Sequence, residues 1–320
     1  MKQKIALVKL SAIGDIIHAS ICVQLVRAHM PNAHITWVVD ARFAQLVRAC
    51  AGVDEVVELE LKDRRYFSAF KALRTLGKFD IVIDLQGLVK SAIVSWLIGK
   101  SCGFSFKSAK EGIASLFYAR KFVIDYNENV IMRNAYLTAF ALGFSVSKEQ
   151  IEQKAPCFKI SSDTLPKKGD KKLVLIAPFA SEPSKCYDKF RDVILGLCDD
   201  FSLLVCYSSK DEKTAATKLI SGTKAQLLAP KSLSELASFI SGCDLVIGND
   251  SGVTHLAWAQ NVASITLFGN RPSERNTFRT DKNLTLDAGK KVDARKIDKS
   301  DFSVCEIPAK NVIQSARGLL

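Results

Sequence analysis

Short apolar runs alternate with helical patterns throughout the first half of the chain. The runs have the length of strands, and between them apolar residues recur with the period of an amphipathic helix. Strands are predicted at 4–10, 34–39, 54–59, 80–85 and 121–125, and helices around 15–30, 42–50, 66–76, 88–99 and 128–142. This alternation favours a parallel sheet covered by helices on both faces.

The pattern starts again after a polar stretch at 145–153 and a segment rich in proline, lysine and glycine at 163–172. Strands are then predicted at 173–177, 202–207, 225–228, 244–248 and 263–268, and helices at 187–198, 211–221, 232–241 and 252–259. We therefore expect an α/β protein of two Rossmann-like domains, 1–155 and 156–320, whose strand ends face each other across a ligand-binding cleft. The last helix could pack back on the first domain.

The composition is that of a soluble globular protein, with 48% hydrophobic and 24% charged residues. Apolar runs such as Ala92 to Ile98 are far shorter than the roughly 20 residues that span a membrane. No signal segment precedes the first strand, so a cytoplasmic location is expected. None of the nine cysteines form a CxxC pair, which favours reduced thiols and makes a zinc site improbable.

The formal net charge of +12 suits an anionic partner, whether nucleic acid, an acidic lipid surface or a phosphorylated substrate. Residues 62–78 carry six Lys or Arg against one acid, and residues 100–121 carry five against one. Solvated helix faces explain such runs equally well. No nucleic-acid recognition motif is present, and this disfavours a nucleic-acid partner.

Two strand–turn–helix segments carry candidate chemistry. In "KIALVKLSAIGDIIHAS", residues 4–20, Asp15 follows Gly14 where a phosphate would be expected at a helix start. Asp15 is either an N-cap or a base in catalysis. In "DLVIGNDSGVTHLAWA", residues 244–259, Ser251 and Gly252 let backbone N–H groups approach a diphosphate.

The same second segment leaves two roles open for each of its polar residues. Asp250 is an N-cap or an acceptor for sugar hydroxyls, and His255 packs beneath the site or acts as a general acid. Lys185, in "LIAPFASEPSKCYD" at 175–188, can neutralise a leaving diphosphate. Glu212 could bind ribose hydroxyls, or only favour its helix N-terminus.

Taken together, these motifs resemble the ADP-heptose lipopolysaccharide heptosyltransferases, which are inverting enzymes of GT-B architecture. The resemblance covers nearly the whole chain and rests on four stretches in the family's order: "VKLSAIGDIIHA", "DLQGLVKSA", "KSAKEGIASLFYARKF" and "NDSGVTHLAWA". The second and third stretches look most like the members that add the first heptose to the inner core.

The resemblance implies ADP-L-glycero-D-manno-heptose as donor and the 3-deoxy-octulosonic acid (Kdo) of lipid A as acceptor. It also implies peripheral attachment to the inner face of the cytoplasmic membrane, and no cofactor, metal or nucleic acid. The alternatives are addition of the second heptose, a sugar-nucleotide epimerase, or a basic nucleic-acid-binding protein. An acceptor assay distinguishes addition of the first heptose from addition of the second, and an epimerase would convert the sugar nucleotide without an acceptor.

The family's pattern also implies residue roles. Asp15 is expected to be the base in catalysis. The expected donor-binding residues are Ser181, Lys185, Glu212, Asp250, Ser251, Gly252, Val253 and His255. The expected acceptor-binding residues are Gly14, His18, Arg64, Arg65, Gln86, Lys107 and Arg120. The turn before Lys185 is one residue shorter than the family's, and Tyr187 follows it in place of tryptophan.

Overall fold

The computed structural model describes residues 2–60, 73–167 and 169–320. The helix predicted at 66–76 falls largely outside these ranges. The chain divides into two compact units, residues 1–157 and 158–320, and the predicted boundary lies two residues before this division. Each unit is built around its own parallel sheet.

The described part of the first unit contains a six-stranded sheet in the order β3-β2-β1-β4-β5-β6. Its strands are β1 Lys4–Val8, β2 His34–Asp40, β3 Glu55–Leu59, β4 Phe79–Asp84, β5 Gly99–Phe104 and β6 Arg120–Phe122. Its α-helices are α1 Ile13–Ala19, α2 Ile21–His29, α3 Ala44–Ala49, α4 Val89–Ile98, α5 Val130–Leu142 and α6 Lys148–Glu152.

The described part of the second unit contains a six-stranded sheet in the order β12-β11-β10-β7-β8-β9. Its strands are β7 Leu173–Ala177, β8 Ser202–Cys206, β9 Gln226–Leu228, β10 Leu245–Asn249, β11 Ala263–Phe268 and β12 Asn283–Asp287. Its α-helices are α7 Phe190–Leu197, α8 Lys210–Ile220, α9 Leu233–Ile240, α10 Gly252–Ala259, α11 Ser273–Asn276 and α12 Ala309–Leu319.

Both sheets have the doubly wound strand order, so the predicted Rossmann-like fold class is confirmed. In such a sheet the strand order reverses beside the first strand, and ligands bind there, outside the carboxyl ends of the strands. The reversal lies between β1 and β4, which pair through Val8 and Asp84. In the second unit it lies between β7 and β10, which pair through Ala177 and Gly248.

The central strands consist mainly of buried apolar residues because helices cover both of their faces. Ile5 to Val8 of β1 and Leu245 to Ile247 of β10 are completely buried. In the second unit, Val312 and Ala316 of α12 complete the core around α7. The last helix therefore packs on the core of the second unit. Its predicted packing on the first domain stays a prediction.

Strands β5 and β12 were not predicted. The sequence of β5, GKSCGF, has two glycines and no apolar run. A side chain at Gly103 would come within 2.4 Å of the Tyr118 ring, so this position needs glycine for packing. The predicted helix 15–30 is two helices, α1 and α2, which meet at Ser20. Among the described residues, no helix has the length and apolar character to cross a membrane.

Candidate active site

Three polar residues of the second unit meet at the carboxyl ends of β7 and β10. Asp250 follows β10 directly, and its side chain is only 7% exposed. Its Oδ2 accepts a hydrogen bond from Lys185 Nζ at 2.6 Å, and its Oδ1 lies 3.0 Å from His255 Nε2. An ionised carboxylate can only accept, so Nε2 carries the proton in this contact.

These partners control the ionisation of Asp250. Burial alone would raise the pKa of its carboxyl, but the hydrogen bond from His255 and the charge of Lys185 outweigh burial. The pKa of Asp250 therefore lies well below its usual range. Asp250 is an anion that holds a lysine and a histidine in place. The N-cap position of the following helix belongs to Ser251 and not to Asp250, and the predicted bond of Asp250 to sugar hydroxyls stays a prediction.

The start of α10 lies beside this cluster. Ser251 occupies the N-cap position but makes no side-chain capping bond. Its Oγ is buried, and among the described residues it has no hydrogen-bond partner. The first-turn N–H groups of α10, including those of Gly252 and Val253, carry the positive end of the helix dipole. This helix start can donate hydrogen bonds to an anion.

Asn249 fixes the turn that carries Lys185, and it was not predicted as a site residue. Its Nδ2 donates to the carbonyl of Pro178 at 2.8 Å, and its Oδ1 accepts from the N–H of Tyr187 at 3.1 Å. The Tyr187 side chain is buried, and its hydroxyl donates to the carbonyl of Ile307 at 2.9 Å. The shortened turn therefore still delivers Lys185 to Asp250.

The other two predicted donor-binding side chains lie outside this cluster. Ser181 is exposed, four residues before Lys185. The carboxylate of Glu212 accepts hydrogen bonds from the N–H and the hydroxyl of Ser208, each at 2.6 Å. These bonds satisfy the start of α8, which is the simpler of the two roles predicted for Glu212.

In the first unit, Asp15 lies in the first turn of α1. Its Oδ2 accepts the N–H of Ala12 at 3.3 Å, so the side chain helps to cap the helix. Its Oδ1 lies 3.6 Å from Nζ of Lys9, a buried lysine that was not predicted and that donates to the carbonyl of Leu85 at 2.8 Å. The Asp15 side chain is 45% exposed and is accessible to a ligand.

Gln86 joins the ends of β1 and β4. Its Oε1 accepts the N–H groups of Leu10 and Ser11, at 3.0 and 3.2 Å. Before it, the buried Asp84 accepts the hydroxyl of Tyr118 at 2.7 Å, and burial raises the pKa of this carboxyl. Asp84 also accepts the N–H groups of Gln86 and Gly87, which fixes the turn.

A depression of about 100 Å³ lies at these strand ends in the first unit. It is lined by Leu10, Ser11, Asp40, Arg42, Gln86, Leu88 and Lys90. The Asp40 carboxylate accepts hydrogen bonds from Nε and Nη2 of Arg42, at 2.8 and 3.0 Å. Asp40 is thus paired with Arg42. The positive charge of the wall comes from Lys90 and from the part of the Arg42 guanidinium that does not bond to Asp40. The depression can take a small ligand with a negative charge.

The structure separates the remaining residues predicted to bind the acceptor. Gly14 lies in the first turn of α1, whereas His18 is buried in the same helix, only 4% exposed. Arg120 starts the edge strand β6, three strand spacings or roughly 14 Å from β1. Its guanidinium donates to the carbonyls of Phe140 and Ala141 at the end of α5. Arg120 thus holds the end of α5, and His18 is enclosed within its own helix packing. Their roles at the acceptor stay predictions.

Lys107 is exposed on the loop after β5. Arg64 and Arg65 lie outside the described residues. Within the described ranges, no group of three or more His, Cys, Asp or Glu side chains could hold a metal ion.

Comparison with known proteins connects this site to a family. The model of glycosyltransferase family 9 (heptosyltransferase) matches residues 66–296. Lipopolysaccharide heptosyltransferase 1 of Campylobacter coli is 36% identical, over 99% of both chains. That of Escherichia coli K12 is 28% identical, over 83% of this chain and 88% of the relative.

Solved structures agree in fold. The E. coli heptosyltransferase WaaC with ADP-2-deoxy-2-fluoro heptose superposes with a TM-score of 0.79 at 22% identity, over 99% of this chain and 100% of that one. E. coli ADP-heptose lps heptosyltransferase II gives a TM-score of 0.70 at 19% identity, over 100% and 98% of the two chains. The family match covers well over half of the sequence, so the chain belongs to glycosyltransferase family 9, the heptosyltransferases.

Proposed function

We propose that this chain transfers L-glycero-D-manno-heptose from its ADP derivative to the Kdo of lipid A, as the first heptose of the lipopolysaccharide core. The names of its relatives support the reaction class, since those above 24% identity include lipopolysaccharide heptosyltransferase 1 from several bacteria. The observation that carries the proposal is the contact of Lys185 with Asp250 beside the open start of α10.

The donor diphosphate binds at the start of α10. The N–H groups of Gly252 and Val253 donate to its oxygens, and the buried hydroxyl of Ser251 gains a partner that the described residues do not offer it. Lys185 contributes a positive charge from the neighbouring turn, held in position by Asp250. As the anomeric C–O bond breaks, this group of donors stabilises the charge that moves onto the departing ADP.

Asp15 takes the proton from the attacking acceptor hydroxyl. The hydroxyl oxygen forms the new bond to the anomeric carbon as the bond to the diphosphate breaks, so the configuration inverts. The exposure of the Asp15 carboxylate supports this role. Its bond to the Ala12 N–H fixes the side chain, which keeps the base in one orientation.

The acceptor binds at the ends of β1 and β4. Kdo is a sugar acid, and the depression beside Gln86 offers it the cationic side chains of Arg42 and Lys90. Gly14 and Lys107 stay as proposed acceptor contacts. The chain acts at the inner face of the cytoplasmic membrane as a peripheral protein, and the net charge of +12 supports its attraction to anionic lipid.

A transfer assay tests this proposal. The purified chain is incubated with ADP-heptose and Kdo-lipid A, and ADP release and the mass of the lipid product are measured. We expect addition of one heptose to bare Kdo-lipid A and no addition to the singly heptosylated lipid. The reverse result identifies the enzyme that adds the second heptose. Conversion of the sugar nucleotide without an acceptor identifies an epimerase.

A further inference from the structure

The exposed large apolar side chains of the first unit gather in one stretch of sequence. In the described part of this unit they all lie between residues 93 and 123: Ile93, Trp96, Phe106, Ile113, Leu116 and Val123. Trp96 is 59% exposed and Leu116 is 72% exposed. Single exposed apolar residues need no explanation, but a group of six with two aromatic members does.

Four of these residues lie on two helices that pack together. Helix α4 contacts a 3₁₀-helix at 112–117 through Ala92 and Ala114, which are both completely buried. Ile93 and Trp96 are three residues apart on α4, and Ile113 and Leu116 are three apart on the 3₁₀-helix. Each pair therefore shares one face of its helix. The contact between Ala92 and Ala114 buries the inner faces of both helices and leaves these outer faces uncovered.

The other two residues extend the same surface. A side chain at Gly112 would meet the Phe106 ring at 3.1 Å, so this ring lies against the start of the 3₁₀-helix. Val123 lies between two residues that bond to the loop of Phe106. The carbonyl of Phe122 accepts the N–H of Ser105 at 2.8 Å, and the N–H of Ile124 donates to the Ser108 hydroxyl at 3.0 Å.

The segment that carries these apolar residues is also rich in basic residues. Residues 89–124 contain six Lys or Arg and one acid, Glu111. The carboxylate of Glu111 accepts the N–H of Val89 at 2.8 Å and so serves the start of α4. The exposed lysines of the segment are Lys90, Lys100, Lys107, Lys110 and Lys121. Apolar side chains beside exposed lysines are typical of surfaces that contact anionic lipid.

We propose that this surface, the six exposed apolar residues together with Lys100, Lys110 and Lys121, docks the enzyme on an anionic phospholipid bilayer. Lys90 and Lys107 stay with the proposed acceptor site. Trp96 and Phe106 enter the boundary between headgroups and acyl chains, and the lysines of this surface contact lipid phosphates. A second copy of the chain fits less well, because two such surfaces would bring like charges together. The inference rests on the proposed function, in which the acceptor is a lipid of the membrane.

The fluorescence of Trp96 provides a direct test with the unmodified enzyme. The chain has three tryptophans, and Trp37 and Trp258 are buried, so quenching by acrylamide reports mainly on Trp96. We expect vesicles of phosphatidylethanolamine and phosphatidylglycerol to shift the emission to shorter wavelength and to protect it from acrylamide. Vesicles of phosphatidylcholine alone should do neither. Unchanged quenching with the anionic vesicles would overturn the proposal.

Paired variants locate the surface. Trp96→Ser with Leu116→Ser should lower binding to the anionic vesicles about tenfold or more. The matched control is Leu195→Ser with Phe302→Ser, two exposed apolar residues of the second unit, and its binding should not change. Lys110→Ala should weaken binding about fivefold at low salt. Equal losses in the two double variants would show that the surface has no special role.

A water-soluble, deacylated acceptor distinguishes failure of docking from failure of the proposed function. The Trp96, Leu116 variant should transfer heptose to this acceptor at the wild-type rate and lose transfer only to acceptor in vesicles. Loss with both acceptors would overturn the docking role. Vesicle binding by a wild-type chain that transfers heptose to neither acceptor would sustain docking and reject the proposed function.

Discussion

Lys185 and Asp250 are opposite charges 2.6 Å apart, and both side chains are largely removed from water. Removing one member of such a pair leaves the other charge buried without compensation. The pair also holds Lys185 at the α10 start, where the proposed diphosphate binds. Lys185 is therefore expected to affect both donor binding and the chemical step.

Lys185→Ala should lower kcat/KM for ADP-heptose by roughly 10²-fold or more, with a higher KM and a lower kcat, and should weaken ADP binding. Steady-state kinetics and calorimetry with ADP measure these effects. Lys213→Ala, at an exposed lysine of α8, is the control and should behave as wild type. Wild-type kinetics in Lys185→Ala would exclude this lysine from the donor site.

Asp15→Asn retains the shape of the side chain and an oxygen that can accept the Ala12 N–H, but it cannot take a proton. We expect kcat to fall roughly 10²- to 10⁴-fold, while the affinity for ADP stays within about twofold of wild type. Single-turnover assays and ADP titration separate these two quantities. A turnover near the wild-type value would show that another group is the base.

Asp40 gives a pH-dependent contribution to stability. Burial favours a higher pKa for its carboxyl, but the hydrogen bonds and charge of Arg42 hold the pKa below the usual value. Stability from such an acid is fully present above the unfolded pKa of about 3.9, and it is lost as the pH falls through the folded pKa. Asp40 is the N-cap of the short 3₁₀-helix at 41–43. Because asparagine is also a good N-cap residue, Asp40→Asn keeps the cap and removes only the charge.

The unfolding free energy of Asp40→Asn should therefore be about 1 kcal/mol below wild type at neutral pH, with the same difference at about pH 5. Below about pH 4 the difference should shrink. Urea unfolding at the three pH values measures it. A difference that persists unchanged at about pH 3 would contradict this account of Asp40.

At the scale of elements, β5 depends on a contact that joins three separate parts of the first unit. Gly103 of β5 lies against the Tyr118 ring, and the Tyr118 hydroxyl donates to Asp84 at the end of β4. Gly103→Ala should destabilise the protein by about 1–3 kcal/mol, because the buried ring has to move. Gly318→Ala, where the new methyl group meets nothing within 4 Å, should change stability little. Equal melting temperatures for both variants would contradict the tight packing at Gly103.

The element pattern also shows what the sequence could predict. Strands such as β1, β7 and β10 contain apolar runs, and the βα turns after them supplied the candidates Asp15, Lys185, Asp250 and Ser251. The structure brings the last three of these together at the start of α10. The long-range hydrogen bonds around these residues could not be predicted from the sequence and are seen only in the folded structure. Asn249 bonds to Pro178 and Lys9 bonds to Leu85, at separations of 71 and 76 residues, and no local pattern reports such pairs. The contacts of β5 were hidden because glycine and serine do not form a hydrophobic pattern.

At the scale of the whole molecule, two sheets with the same strand order carry different chemistry at equivalent positions. The first places an accessible carboxylate and a cationic depression at its switch point, and the second places a lysine and an uncapped helix start at its own. The fold offers a ligand site in each unit, and the turn residues decide which site suits a nucleotide.

A crystal structure with ADP tests the central claim most directly. The account predicts the diphosphate at the start of α10, with its oxygens within hydrogen-bond distance of Lys185 Nζ, the Gly252 N–H and the Ser251 hydroxyl. A diphosphate bound instead at the turn of Ser11 to Asp15 would contradict it.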